Sequence, residues 1–130
     1  MTDNKLRHAF DTPLSSGLRF LSELIAWVAG PWAIAAIFSG WLAIPALVLL
    51  VGLPGVFSTP GDKRQIIVAT PGPLRVLIEL LQYSVAVIAP WIIWPGWAAV
   101  LCVFCVIASI VVGLPRLRWL MAGAPDKPAT

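Results

Sequence analysis

The sequence predicts an all-α integral membrane protein whose four transmembrane helices form two pseudo-symmetric hairpins. Three observations lead there. The first is composition: 59% of the 130 residues are hydrophobic and only 12% are charged, against roughly 25% charged in soluble domains. A soluble fold of this size has too little interior to hide so much apolar surface. The second is the placement of charge. No Asp, Glu, Lys or Arg occurs from Leu24 through Gly61, nor from Leu80 through Pro115. A transmembrane helix takes about 20 residues, so each charge-free stretch holds one out-and-back helical pair. The third is an internal repeat. Leu18-Arg19-Phe20-Leu21-Ser22-Glu23-Leu24 returns as Leu74-Arg75-Val76-Leu77-Ile78-Glu79-Leu80, and the same offset relates Ala33 to Ala89 and Gly40-Trp41 to Gly96-Trp97. Two spans per half give both halves the same orientation, so the repeat is parallel, with a pseudo-two-fold axis along the membrane normal.

Residues 1–12 are polar and of mixed charge, a cytoplasmic tail. Thr12-Pro13 opens the first hairpin (13–55): threonine suits an N-cap and proline the first helical position. The first span covers about 13–38 and contains Pro31, which removes a backbone bond and bends the helix. No cleavage site of the signal-peptide kind follows it. Ser39-Gly40 makes the outer turn, and the second span covers about 41–55, stopped by Gly52-Leu53-Pro54-Gly55.

Residues 56–72 form a cytoplasmic loop with Thr59-Pro60-Gly61-Asp62 as its turn signal. Ile66-Ile67-Val68 is too short to span and suits the interface. Thr70-Pro71 repeats the cap chemistry before the second hairpin (73–121). Its third span covers about 73–94 around Pro90, Pro95-Gly96 turns the chain, and the fourth covers about 97–115. The ending Val51-Gly52-Leu53-Pro54 recurs as Val112-Gly113-Leu114-Pro115 at a larger offset, so the fourth helix is the longer. Residues 122–130 are a polar cytoplasmic tail.

All nine Lys and Arg residues lie in or beside the two tails and the middle loop. The positive-inside rule therefore places both termini in the cytoplasm, with the chain multi-pass in the plasma (inner) membrane. Trp32, Trp41, Trp91, Trp94 and Trp97 gather at the two outer turns as an interfacial aromatic belt would, while Trp27 sits deeper. The pI near 9.3 follows from the loop bias and calls for no nucleic-acid partner, since no basic patch with interleaved aromatics is present.

The opening Leu18-Arg19-Phe20-Leu21-x-Glu23-Leu24, the four short spans and the small size resemble the YrdB-like bacterial membrane proteins, a family without an assigned activity. The resemblance implies a bacterial plasma-membrane location and transfers no catalytic or binding residue.

Arg19, Glu23, Arg75 and Glu79 carry the sharpest chemical signal. Ionisable groups near hydrocarbon are costly and normally turn inward, paired with one another. Arg19 and Glu23, like Arg75 and Glu79, stand one helical turn apart on a face. Under the two-fold axis Arg19 meets Glu79 and Arg75 meets Glu23, a clamp between repeats. Gln82 and Tyr83 extend the Arg75–Glu79 stripe inward. This places any functional cavity on the cytoplasmic side, walled by the first and third helices, with Glu79 as its acceptor. Cys102 and Cys105 lie in an apolar helix with no acid or histidine beside them, and read as packing. His8 stands alone. No nucleophile-and-base set, metal cluster or phosphate loop occurs, so no enzyme, cofactor or metal is expected. The expectation is a structural or accessory membrane component. The alternative is a small oligomeric transporter or channel using the third helix's polar stripe. Membrane lipids are the expected partners, with a second copy of the chain or a larger membrane complex beside them.

Overall fold

The computed structural model describes residues 12–59 and 67–124, and they are helical almost throughout. The expected tails before residue 12 and after residue 124, and the turn and Ile66 within 60–66, lie outside the described residues. Helix α1 spans Pro13–Ile37; a short 3-10 turn, Gly40–Leu42, leads into α2, Ala43–Val56. Helix α3 spans Gly72–Ile93, α4 Gly96–Val112 and α5 Leu114–Met121. Two two-residue strands, β1 (Phe57–Ser58) and β2 (Val68–Ala69), pair in parallel between α2 and α3.

Helix α1 begins as its sequence dictates. Thr12 Oγ1 accepts from the Ser15 amide at 3.1 Å, and Ser15 Oγ accepts from the Thr12 amide at 3.1 Å, a reciprocal cap. Thr70 does not repeat it. Its hydroxyl donates to the Val68 carbonyl, and α3 starts behind Pro71 with no side-chain cap.

Helices α1 and α3 pack side by side at the centre, α4 lies against both, and α2 lies mainly on α1. The seam is made of small residues. Ala29, Ala33 and Ala89 form one buried cluster, and Ala26, Tyr83, Ala86 and Val106 another. Small side chains let helix backbones approach closely, which is how helices associate where hydrocarbon surrounds them. At Gly30 a Cβ would stand 2.8 Å from the ends of both Leu50 and Val85.

Among the described residues the exterior is apolar, while several of the largest buried side chains are polar or charged. Leu, Ile, Val, Phe and Trp side chains cover the exterior, whereas Ser22, Arg75, Glu79, Gln82, Ser109 and Arg116 are buried. That inversion suits a hydrocarbon solvent, in which polar groups find partners only inside the protein. Helices α1 and α3 are each long and apolar enough to cross a membrane; α4 and α5 together make a third candidate, bent by 61°. The apolar stretch Gly40–Val56 is shorter.

One four-residue phrase has two outcomes. Val51-Gly52-Leu53-Pro54 lies inside α2, which runs on to Val56 rather than stopping at its proline. Val112-Gly113-Leu114-Pro115 is the break between α4 and α5. Proline 54 has no N–H for the Leu50 carbonyl. Two side chains supply the missing donors: Trp27 Nε1 at 3.0 Å and Gln82 Nε2 at 2.8 Å. At the second copy Gly113 caps α4 by donating to the Ser109 carbonyl, and the chain turns. Thus the fourth helix, expected over 97–115, ends at Val112, and the residues beyond form a separate helix folded beneath α3.

Candidate functional site

The sequence sets Arg75 and Glu79 one turn apart on α3, and α3's inner face buries both. Arg75 Nε donates to Glu79 Oε2 at 3.0 Å. The other half of the site comes from α5. Arg116 reaches back so that Nη1 donates to Glu79 Oε1 at 2.9 Å and Nη2 to Oε2 at 2.7 Å. This two-pronged geometry matches the planar guanidinium to the carboxylate and gives the strongest form of charged hydrogen bond. Both oxygens of Glu79 are therefore occupied, and the residue is only 2% exposed.

Arg75 has a second task. Its Nη1 donates to the Pro54 carbonyl at 2.9 Å and the Phe57 carbonyl at 2.8 Å. Helix ends leave their last carbonyls without internal partners and carry partial negative charge. A guanidinium on the closing turn of α2 meets both needs. Glu79 thereby joins three elements: α3 directly, α5 through Arg116, and the end of α2 through Arg75.

Gln82 and Tyr83 lie one turn further along α3. Gln82 closes the gap over Leu50, its own Oε1 buried without a hydrogen-bond partner. The Tyr83 hydroxyl meets Ser109 Oγ of α4 at 3.0 Å. The clefts along the apolar body, about 440 Å³ between α1, α2 and α3 and about 300 Å³ between α3 and α4, are lined by neither Glu79 nor Gln82.

The expected exchange of partners between repeats is not the pairing found. Arg75 binds Glu79 of its own helix, not Glu23, and Glu79 takes Arg116 as its second ligand. Arg19 and Glu23 of α1 are partly buried, and Arg19 adds its positive field to Glu79. The reason is geometric. Folding at Gly113 returns α5 to α3, and a guanidinium on that short helix reaches the carboxylate head-on. By sequence Arg116 groups with the other basic residues beside the C-terminal tail; the signal for its inward turn is an arginine directly after a Gly-Leu-Pro break.

Cys102 is buried and Cys105 partly so, both as free thiols, with Cys105 Sγ 3.8 Å from Ser22 Oγ. Among the described residues no group of three or more His, Cys, Asp or Glu side chains is placed to hold a metal ion. Comparison with protein-family models, with curated proteins and with solved structures returns no match.

Proposed function

We propose that the chain is a small polytopic membrane protein, not an enzyme, whose buried charges are architectural and which serves as a structural or accessory component of the membrane. The observation that carries this reading is the saturation of Glu79. A carboxylate that moves protons or ligands needs a free oxygen and a route to water; both oxygens here are held by arginines, and the group ties three elements together.

The reading includes four spans, with Gly40–Val56 as the second. Seventeen residues of helix rise about 26 Å, near the ~30 Å hydrocarbon core and within the range of short spans. It also includes two parallel hairpins about a pseudo-two-fold axis, because Ala33 and Ala89, matched by the repeat, share one buried cluster. The axis is approximate: α4 packs on both central helices while α2 favours one. The reading also puts both termini in the cytoplasm and the chain in a bacterial plasma membrane, as for the YrdB-like proteins it resembles, with lipids as constant partners.

A second reading, a small oligomeric transporter or channel, draws on the buried, unpartnered Gln82 Oε1. One experiment separates them. Replacing Arg75, Glu79 and Arg116 together with leucines removes the charge while keeping bulk, and buried ion triads often tolerate this. If the triple variant inserts, folds and keeps its native copurifying partners, the charges are architectural. A folded variant that loses partner association or a measurable flux in liposomes would make them functional.

A further inference from the structure

The end of the molecule that carries α5 contains an opening whose described lining includes none of Arg75, Glu79 and Arg116. Thr59, Ala69, Thr70, Pro71, Gly72 and Gly123 line a cleft of about 320 Å³, with Ala124 at its edge. Among the described residues that line it, none is charged. The cleft opens at the N-terminus of α3, a helix of 22 residues with no side-chain cap. Its first-turn amides have no intrahelical partner, and the helix dipole adds partial positive charge there. The Thr70 amide is already committed to the Ser58 carbonyl and the Arg75 amide to Pro71. Of that turn's residues Gly72 lines the cleft and keeps an N–H, while Pro73 has none.

A helix start alone is common. The second observation is the Thr59 hydroxyl. Thr59 is 2% exposed, lines this cleft, and its Oγ1 has no hydrogen-bond partner; the neighbouring Ser58 hydroxyl is likewise buried and unpartnered. Leaving a buried hydroxyl unpaired is unfavourable, and an acceptor held in the cleft that Thr59 lines would answer it. A hydroxyl donor, the Gly72 amide and a helix N-terminus form the kind of donor set that oxyanions select.

We propose that this cleft binds a phosphate-type oxyanion between the first turn of α3 and the Thr59 hydroxyl. The phosphate comes either from free inorganic phosphate or from the headgroup of an anionic lipid, which the position of the cleft beside α5 would bring within reach.

The test uses the full chain. In detergent, thermal melting is followed with inorganic phosphate against chloride at matched ionic strength. In nanodiscs, phosphatidylglycerol mixed with phosphatidylcholine is compared with phosphatidylcholine alone. Stabilisation by inorganic phosphate assigns the free ion; stabilisation by phosphatidylglycerol only assigns the headgroup. Either effect must weaken in Thr59→Val, by about tenfold or more in apparent affinity, as for a lost hydrogen bond to a charged ligand. Should Thr59→Val fail to fold, exposed Ala69 on the rim decides: Ala69→Asp must abolish the effect by repulsion and neutral Ala69→Asn must keep it. No stabilisation in either medium, or stabilisation that survives the Thr59 and Ala69→Asp changes, overturns the site.

Discussion

The side-chain amide of Gln82 donates to the backbone carbonyl of Leu50 at 2.8 Å, and that carbonyl is the one Pro54 leaves without a partner. Trp27 donates to the same oxygen, so helices α1 and α3 jointly repair a break in α2. This accounts for two residues that have no other clear place. Trp27 stands apart in sequence from the tryptophans at the two turns, and its indole N–H meets the Leu50 carbonyl. Gln82 has no polar counterpart at Ala26, its repeat mate, because the repair is needed on one side only.

Restoring the amide should make Gln82 dispensable. Gln82→Leu is expected to cost about 0.5–1.5 kcal/mol, the usual net worth of one hydrogen bond. In a Pro54→Ala background position 54 again donates to Leu50, and the same change should cost clearly less. Unfolding of the four proteins in mixed micelles measures the cycle. Equal costs in the two backgrounds would mean that the proline is not what Gln82 compensates.

The glycines rank by what surrounds them. A Cβ on Gly72 would collide with the backbone carbonyl of Leu120, and backbone cannot swing aside. Gly72→Ala should therefore push α5 off α3 and cost more than the ~1–3 kcal/mol typical of overpacking. At Gly30 the obstacles are the side-chain ends of Leu50 and Val85, so Gly30→Ala should fall within that range. Gly40 has nothing within 4 Å, and Gly40→Ala should melt close to the parent. Melting temperatures in one detergent test the order, and a harmless Gly72→Ala would contradict the close α3–α5 contact.

What the sequence made legible is what hydropathy and helical spacing control. The charge-free stretches located the long helices, and the four-residue spacing put Arg75, Glu79, Gln82 and Tyr83 on one face. What stayed hidden depends on tertiary partners. Val-Gly-Leu-Pro is a continuous helix where Trp27 and Gln82 reach its orphan carbonyl, and a 61° bend where Gly113 closes the helix. No local rule separates the two copies. Arg116 was hidden for the same reason, since its inward turn exists only after the bend. The pairing across the repeats went astray because α5 presents a better-aligned cation than α1.

The short second helix makes topology a sharp question. If Gly40–Val56 crosses the membrane, reporter fusions at Ser39 and Pro95 face outward while a fusion at Thr59 faces the cytoplasm. Paired reporters, one active on each side, read all three sites in the same cells. An outward signal at Thr59 would leave α2 lying in the outer half and end the four-span reading.

The ion triad makes the last prediction, and its sign follows from counting charge. Arg75, Glu79 and Arg116 together carry one net positive charge, offset in part by the negative end of the α2 dipole on which Arg75 rests. Removing Glu79 leaves two buried guanidiniums facing each other; removing Arg116 leaves a compensated Arg75–Glu79 pair. Deleting one member of a buried pair costs on the order of 3–5 kcal/mol when a charge is stranded, so Glu79→Gln should approach that figure and Arg116→Gln should cost markedly less. The double variant should recover part of the Glu79→Gln loss, because one of the two stranded cations is gone. The same cycle run with Arg19→Gln should show weaker coupling, since Arg19 acts on Glu79 through its field rather than as a ligand at 2.7 Å. Hydrogen exchange adds a local readout: Arg116→Gln should raise exchange across Leu114–Met121 while the centres of α1 and α3 stay protected. If Arg116→Gln proves as damaging as Glu79→Gln, or α5 remains protected without Arg116, the triad does not hold α5 in place.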